Sequence, residues 1–318
     1  MRSRAQTTPD RVAIEGTEEG IRWTYAEMND QSSAVAAEFA GHPGERIGIL
    51  LESGPAYAPV LFGIIRSGAV AVPLSTRETA DTLTDCIDQA GITALVCDPE
   101  TESIAAGLSE DVRQASEILE GSSTDSTYTD ITTTTEVLVL FTSGSTGRPK
   151  GVRLTHGNLT TSAIASAFRL GVTPTDRWLG CLPMYHMGGL APIVRSTLYG
   201  TRLVIQPAFD PQSTAAAVED HNITGVSLVP TMCRRLLENG WSPPASLRTV
   251  LLGGGPIDAS LVTRCLEADI RSVRPMASRS QPPRWQRPPP RRRQRTRECW
   301  TAPCRHESRH PGGGWQPL

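Results

Sequence analysis

The chain has 318 residues, 38% of them hydrophobic, 20% charged, with a formal net charge of −2 at pH 7. That is enough apolar side chain for one large core or two ordinary ones, while no apolar run reaches the roughly 20 residues of a membrane span. Met1-Arg-Ser-Arg-Ala-Gln-Thr-Thr-Pro-Asp10 lacks the apolar core of a signal peptide, and seven cysteines, an odd number with no Cys-x-x-Cys pair, read as reduced thiols, so a cytoplasmic protein is expected.

Taken in order, Thr24-Tyr-Ala-Glu-Met28 opens a helix running to about residue 40, with Met28, Val35 and Phe39 on one face. A strand over 46–51, a helix over 56–67, a strand over 69–73, a helix over 78–90 and a strand over 94–97 follow. Short apolar strands alternating with helices predict an α/β fold of doubly wound, mostly parallel sheets. The alternation is lost over 101–135, which ends in Gly121-Ser-Ser-Thr-Asp-Ser-Thr-Tyr-Thr-Asp-Ile-Thr-Thr-Thr-Thr135. Residues 1–120 therefore read as a first α/β subdomain, 121–135 as a polar linker and 136–275 as a second subdomain.

The second subdomain opens on a strand over 136–141. The polar run Thr142-Ser-Gly-Ser-Thr-Gly-Arg-Pro-Lys150-Gly comes next, and a helical pattern starts near Leu154. Thr142, Ser143, Ser145 and Thr146 supply hydroxyls, Gly144 and Gly147 let backbone N–H groups approach a ligand, and Lys150, the only lysine in the chain, adds a positive charge. This is the chemistry of a loop that wraps nucleotide phosphates. A Walker loop is excluded, because its lysine must be followed by Ser or Thr to hold Mg²⁺, and Gly151 follows Lys150.

Further strands are predicted over 177–182, 201–205, 224–229 and 250–252, with helices over 212–220, 230–237 and 258–268. Two strand ends carry candidate ligand groups. Pro183-Met-Tyr-His186-Met-Gly-Gly puts a histidine at the carboxyl end of a strand, where open α/β sheets bind ligands. Leu251-Leu-Gly253-Gly254-Gly255-Pro256 offers bare backbone against which a flat ring can lie, although a tight strand-to-helix turn explains the composition equally well.

The segment Leu140–Val152, with its order of hydroxyl residues and its Gly-Arg-Pro-Lys-Gly-Val ending, resembles the phosphate-binding signature of the adenylate-forming enzymes. These include acyl-CoA synthetases, peptide-synthetase adenylation domains and luciferases. The Thr-Tyr-x-Glu helix, the Gly-Ala-Val-x-Val-Pro strand and the Pro-x-x-His turn resemble parts of the same fold. Leu-Val-Pro-Thr-Met-x-x-Arg-Leu-Leu with Leu-Leu-Gly-Gly-Gly-Pro is most similar to the 2-succinylbenzoate–CoA ligase group of menaquinone synthesis, with fatty and aryl acid ligases as the alternatives.

The resemblance implies ATP, Mg²⁺ and CoA acting with a small carboxylic acid. Phosphates are expected at Thr142, Ser143, Gly144, Ser145, Thr146, Gly147 and Lys150, adenine near Gly253, Gly254, Gly255 and Pro256, and the acyl group at His186 as the candidate catalytic residue. No metal ligand is assigned.

The resemblance covers roughly residues 9–275, and then the composition changes. Ten arginines and two glutamates fall in 276–318, so that against a whole-chain net of −2 the preceding residues carry −10. Arg287-Pro-Pro-Pro-Arg-Arg-Arg293 is typical, and nothing in the tail builds a core, so disorder is expected. Three readings compete: a basic arm for RNA, which would make the chain a non-catalytic nucleotide- or RNA-binding protein; a metal site from Cys299, Cys304, His306 and His310; and a slipped reading frame. The leading expectation is the slipped frame. Codons compatible with Val273–Gln286, grouped one base earlier, admit Pro-Thr-Tyr-Gly-Leu-Thr-Glu-Ser-Ala-Ser-Gln-Val-Ala, which resembles the family's next motif, Tyr-Gly-x-Thr-Glu. Neither that motif nor any lysine after Lys150 occurs in the chain as it stands, which predicts an enzyme by descent that is inactive as this polypeptide.

Overall fold

The computed structural model describes residues 1–270, except 19, 122–128, 143–148 and 269, together with the backbone of 273–275. The tail at 276–318, on which the disorder, RNA and metal expectations fall, lies outside the described residues.

The first part of the chain runs α1 (Arg2–Thr7), β1 (Val12–Gly16), β2 (Arg22–Thr24), α2 (Tyr25–Glu38), β3 (Arg46–Leu50), α3 (Tyr57–Ser67), β4 (Val70–Pro73), α4 (Ala80–Ala90) and β5 (Ile92–Cys97). Helix starts follow local chemistry. Thr24 and Glu27 form a reciprocal capping box on α2, and the Thr79 hydroxyl accepts the Thr82 N–H to start α4. Next come α5 (Glu102–Ala106), β6 (Val112–Gln114) and α6 (Ala115–Glu120), in a stretch whose sequence shows no periodicity. Elements of three to six residues are too short to display one.

The chain continues with β7 (Glu136–Thr142), β8 (Lys150–Thr155), α7 (His156–Leu170), β9 (Arg177–Gly180), α8 (Met187–Tyr199), β10 (Arg202–Ile205), α9 (Pro211–Asp220), β11 (Gly225–Leu228), α10 (Pro230–Glu238), β12 (Thr249–Leu252), α11 (Ala259–Glu267) and β13 (Val273–Pro275).

The strands form two sheets, seven in the order β13-β12-β11-β9-β10-β1-β2 and six in the order β6-β5-β3-β4-β7-β8. Only β2 and β8, each at a sheet edge, run antiparallel to their neighbours. The doubly wound, mostly parallel architecture expected from the alternation is therefore present. The sheets nevertheless exchange strands: β1 and β2 join the strands after residue 176, and β7 and β8 close the sheet built by β3 to β6. Residues 121–135 thus do not separate one sheet from the other, and the described residues form one compact unit.

Alternation along each strand sorts side chains into three cores. Ile47, Ile49, Ala71, Leu138 and Leu140 of the six-stranded sheet and Ile14, Leu203 and Ile205 of the seven-stranded sheet face a shared layer containing α2, α3 and α8. Leu50, Val70, Val72, Leu95 and Val139 face α4 and α5, while Leu179, Val204, Val226, Leu228, Val250 and Leu252 face α9, α10 and α11. The layers run helix, sheet, helix, sheet, helix. The shared layer buries Tyr25, Met28, Tyr57, Leu61 and Ile64 completely, each contributing about 1.5–3 kcal/mol by transfer from water.

All five described cysteines, Cys86, Cys97, Cys181, Cys233 and Cys265, are free and buried. Burial pushes the thiols of Cys86 and Cys97 up to about 11 and that of Cys181 up to about 12, which keeps them protonated and inert.

Candidate ligand site at the carboxyl edges of the sheets

Parallel strands put every strand-to-helix turn on one edge of a sheet. In the seven-stranded sheet the turn after β9 carries Pro183–His186, and the turn after β12 carries Gly253–Pro256. One strand, β11, lies between them, so the two turns leave the sheet about 10 Å apart. In the six-stranded sheet the corresponding edge carries Ser53 after β3, Glu78 after β4 and Thr142 at the end of β7.

The two edges are joined. The backbone N–H of Met184 donates to the hydroxyl of Ser53 at 3.0 Å, both groups being buried. His186 then caps α8 through its backbone, and its ring packs edge-on against Tyr185 with centroids 4.6 Å apart. The turn is tight enough to require Gly189: a Cβ there would stand 2.4 Å from the carbonyl oxygens of both Leu182 and Pro183. His186 is exposed at the rim, yet partial desolvation lowers its pKa below the usual 6.5, opposed by the charge of Glu78 from the other sheet. At neutral pH the imidazole is uncharged and free to donate or accept.

At the glycine turn, Gly253 N–H still donates to Leu228 O at 3.1 Å, in line with the sheet, and the chain then reverses at Gly254 with φ of +77°. Gly254, Gly255 and Pro256 are exposed, so bare backbone faces outward beside Val229 and Pro230 at the start of α10. Neither α8 nor α10 has a side-chain N-cap, so both present first-turn N–H groups and the positive end of a helix dipole at this edge. Asp258 caps α11 by accepting the Leu261 N–H, and that bond, with Ser260 and Arg234, holds its carboxyl at about 2.

Thr142 and Lys150 face each other as the last pair of the β7–β8 ladder, with the Thr142 hydroxyl donating to Lys150 O at 3.3 Å. β7 and β8 are consequently antiparallel neighbours whose ladder ends at this pair. The expected passage directly from strand to helix is corrected by β8, a six-residue edge strand with only Val152 and Leu154 apolar, both half-buried. Helix α7 starts only after Thr155, which forms a capping box with Asn158. Ser143, Gly144, Ser145, Thr146 and Gly147 lie outside the described residues. Lys150 is exposed and lines an open cleft of about 310 Å³ together with Gln89, Phe141, Gly151 and Arg153.

The structure thus sets His186 and the glycine turn on one edge, and the hairpin base and Ser53 on the edge joined to it. Ser53, Glu78 and Gly189 were not singled out by sequence reasoning. Only Gly189, within the Gly-Gly after His186, carried a signal. Among the described residues no group of three His, Cys, Asp or Glu could hold a metal ion.

This architecture belongs to a known class. Residues 1–275 match the AMP-binding enzyme family, and the chain belongs to it. The 2-succinylbenzoate–CoA ligase of Bacillus mycoides is 34% identical over 279 residues, covering 85% of this chain and 56% of the relative. The o-succinylbenzoate CoA synthetase of Bacillus subtilis, solved in complex with its acyl-adenylate intermediate, superposes with a TM-score of 0.79 at 30% identity, over 85% of this chain and 56% of that one. The same synthetase has been solved with ATP and magnesium, at a TM-score of 0.78. The N-terminal domain of FACL13 from Mycobacterium tuberculosis, 24% identical with a TM-score of 0.80, shares the fold. The chain spans about 56% of the length of the curated relatives it matches.

Proposed function

We propose that these residues form the nucleotide- and acyl-binding part of an ATP-dependent carboxylate–CoA ligase acting on 2-succinylbenzoate in menaquinone synthesis. Fatty and aryl acid ligases are the alternatives within the family. The observation that carries the reading is the similarity at 34% identity to named 2-succinylbenzoate–CoA ligases. The Ser53–Met184 bond, which ties the His186 turn to the six-stranded sheet, supports it.

In this reading the carboxylate of the acid attacks the α-phosphate of ATP, giving an acyl-adenylate and pyrophosphate. The thiol of CoA then attacks the acyl carbon and AMP leaves. The charge that builds on the phosphates is met by the donors of Thr142–Thr146 and by Lys150. Adenine lies against Gly253–Gly255 and Pro256, where the backbone of Gly254 and Gly255 is exposed. Neutral His186 borders the acyl carboxylate and accepts or donates a hydrogen bond there without adding charge. Mg²⁺, when bound, supplies further neutralisation of the phosphates. The described residues hold no carboxylate cluster suited to it, so no step is assigned to the ion.

The family match ends at residue 275, where the composition changes. We therefore read 276–318 as translated out of frame, and expect no acyl-dependent exchange of pyrophosphate into ATP by the polypeptide as it stands. Sequencing the gene through codons 265–330 checks this: an offset frame running into Tyr-Gly-x-Thr-Glu supports it, and stop codons in that frame overturn it. The substrate is tested by competing non-hydrolysable adenylate analogues of 2-succinylbenzoate, benzoate and a long-chain fatty acid for the chain. Preference for the succinylbenzoyl analogue is expected, and preference for either other would move the assignment to that acid.

A further inference from the structure

The edge of the seven-stranded sheet opposite to His186 holds a small cavity, unrelated to the nucleotide reading. Its lining includes Asp176, Trp178, Arg195, Thr201, Arg248 and Thr249, at the amino ends of β9, β10 and β12 and on the last turns of α8. The centre of a water-sized sphere is free to move through about 20 Å³ of it. One water needs about 10–15 Å³ by that measure, so the space suits a water or two, or one monatomic ion, and is too small for a phosphate.

The groups around it are donors in excess. Arg195 is only 8% exposed and makes no hydrogen bond or ion pair with any described residue; its guanidinium lies over the Trp178 ring, 4.7 Å from the centroid. The indole Nε1–H of Trp178, which can only donate, is buried with no acceptor. Arg248 is already paired with Asp176. Of the neighbouring cations, Arg202 is paired with Glu15, which His221 also contacts, and Arg248 with Asp176, so neither acid is left for Arg195.

A buried cation without a counter-ion is costly, and desolvation indeed lowers the pKa of Arg195, with Tyr199 opposing. Three carbonyls at the end of α8 are already engaged by other groups, Leu198 O by Arg4 at 3.2 Å, Gly200 O by Arg11 at 3.0 Å and Ser196 O by the Tyr25 hydroxyl at 2.9 Å.

We propose that this cavity is a structural halide site, in which one chloride is held by the Arg195 guanidinium and the Trp178 indole N–H. A water can satisfy either donor but cannot neutralise Arg195. The ion would lock the end of α8 to the start of β9, the strand that leads into the His186 turn.

The test is thermal unfolding of the full 318-residue chain in sodium chloride and in sodium gluconate at matched ionic strength. The wild type should show a rise in Tm of about 2–4 °C when chloride exceeds its Kd about tenfold, growing further with the logarithm of chloride, and gluconate should give none. Arg195→Met, which keeps the apolar stem over Trp178, should abolish the difference between the two salts. Crystals of the wild type grown in sodium bromide provide a reading independent of whether that variant folds. An anomalous peak between Arg195 and Trp178 supports the site. Equal melting in both salts, or water alone in the cavity, overturns it.

Discussion

The hydroxyl of Ser53, at the carboxyl end of β3, accepts the buried backbone N–H of Met184, at the carboxyl end of β9, over 3.0 Å. This bond links strands of different sheets, two residues before His186. Replacing Ser53 by Ala leaves the Met184 N–H buried without an acceptor, a cost of about 1–3 kcal/mol. Urea unfolding should show that loss with an unchanged m-value. Ligand binding should weaken beyond what the stability loss explains, because the His186 turn is released.

Desolvation lowers the pKa of His186, and the Glu78 carboxylate raises it. The Glu78→Gln variant should therefore move the His186 titration, followed by NMR of the ring protons, to lower pH; an upward shift would show that the two groups do not face each other. The sign for stability follows. The unfolded chain binds this proton more readily than the folded one, so His186 favours unfolding as pH falls below about 6.5. Replacing His186 by Gln should flatten that part of the stability profile.

At Gly189 an added methyl would meet two carbonyl oxygens at 2.4 Å, and backbone cannot give way as a side-chain tip can. Gly189→Ala should cost about 1–3 kcal/mol through overpacking and shift the first turn of α8. Gly171→Ala, where no atom lies within 4 Å of an added Cβ, is a useful contrast: it strains only a positive φ at a helix end. The two variants should differ in ligand affinity, with Gly189→Ala weaker and Gly171→Ala like the parent.

The Tyr25 hydroxyl lies 2.9 Å from Ser196 O and 2.8 Å from Thr201 O, fully buried between α2 and the end of α8. Tyr25→Phe removes the donor and leaves two carbonyl oxygens without it. A stability loss of about 1–3 kcal/mol in denaturant unfolding is expected, with the far-UV spectrum unchanged.

Much of this molecule was legible in its residues, for physical reasons that vary by place. Helix α2 was readable from Thr24 and Glu27, which start it, and from Met28, Val35 and Phe39, which bury one face. Strands β3, β4, β5 and β7 are buried on both faces and read as apolar runs. The pair β1 and β2 was not found, because β2 has three residues and the apolar run of β1 is only Val12-Ala13-Ile14. Nor could the exchange of strands between sheets be read, since pairing such as Ile14 with Leu203 joins residues far apart in sequence. Of the candidate site, the strand-end positions of His186 and the glycine turn could be read from residue type and order. Ser53 and Glu78 did not, because a serine after a strand and a glutamate before a helix are ordinary until the other sheet is brought beside them.

The central claim is that one ligand spans the joined carboxyl edges, with its phosphate near the β7–β8 hairpin and its acyl group near His186. Calorimetric binding of a non-hydrolysable succinylbenzoyl-adenylate analogue to the full chain tests it most directly, with Lys150→Met and His186→Ala beside the parent. The account predicts saturable binding by the parent, weakened about tenfold or more by Lys150→Met through the lost charge on the phosphate side and by His186→Ala through the lost acyl contact. For AMP in place of the analogue, the His186→Ala variant should bind like the parent. Binding that ignores both substitutions, or no binding by a chain that unfolds cooperatively, would contradict the account.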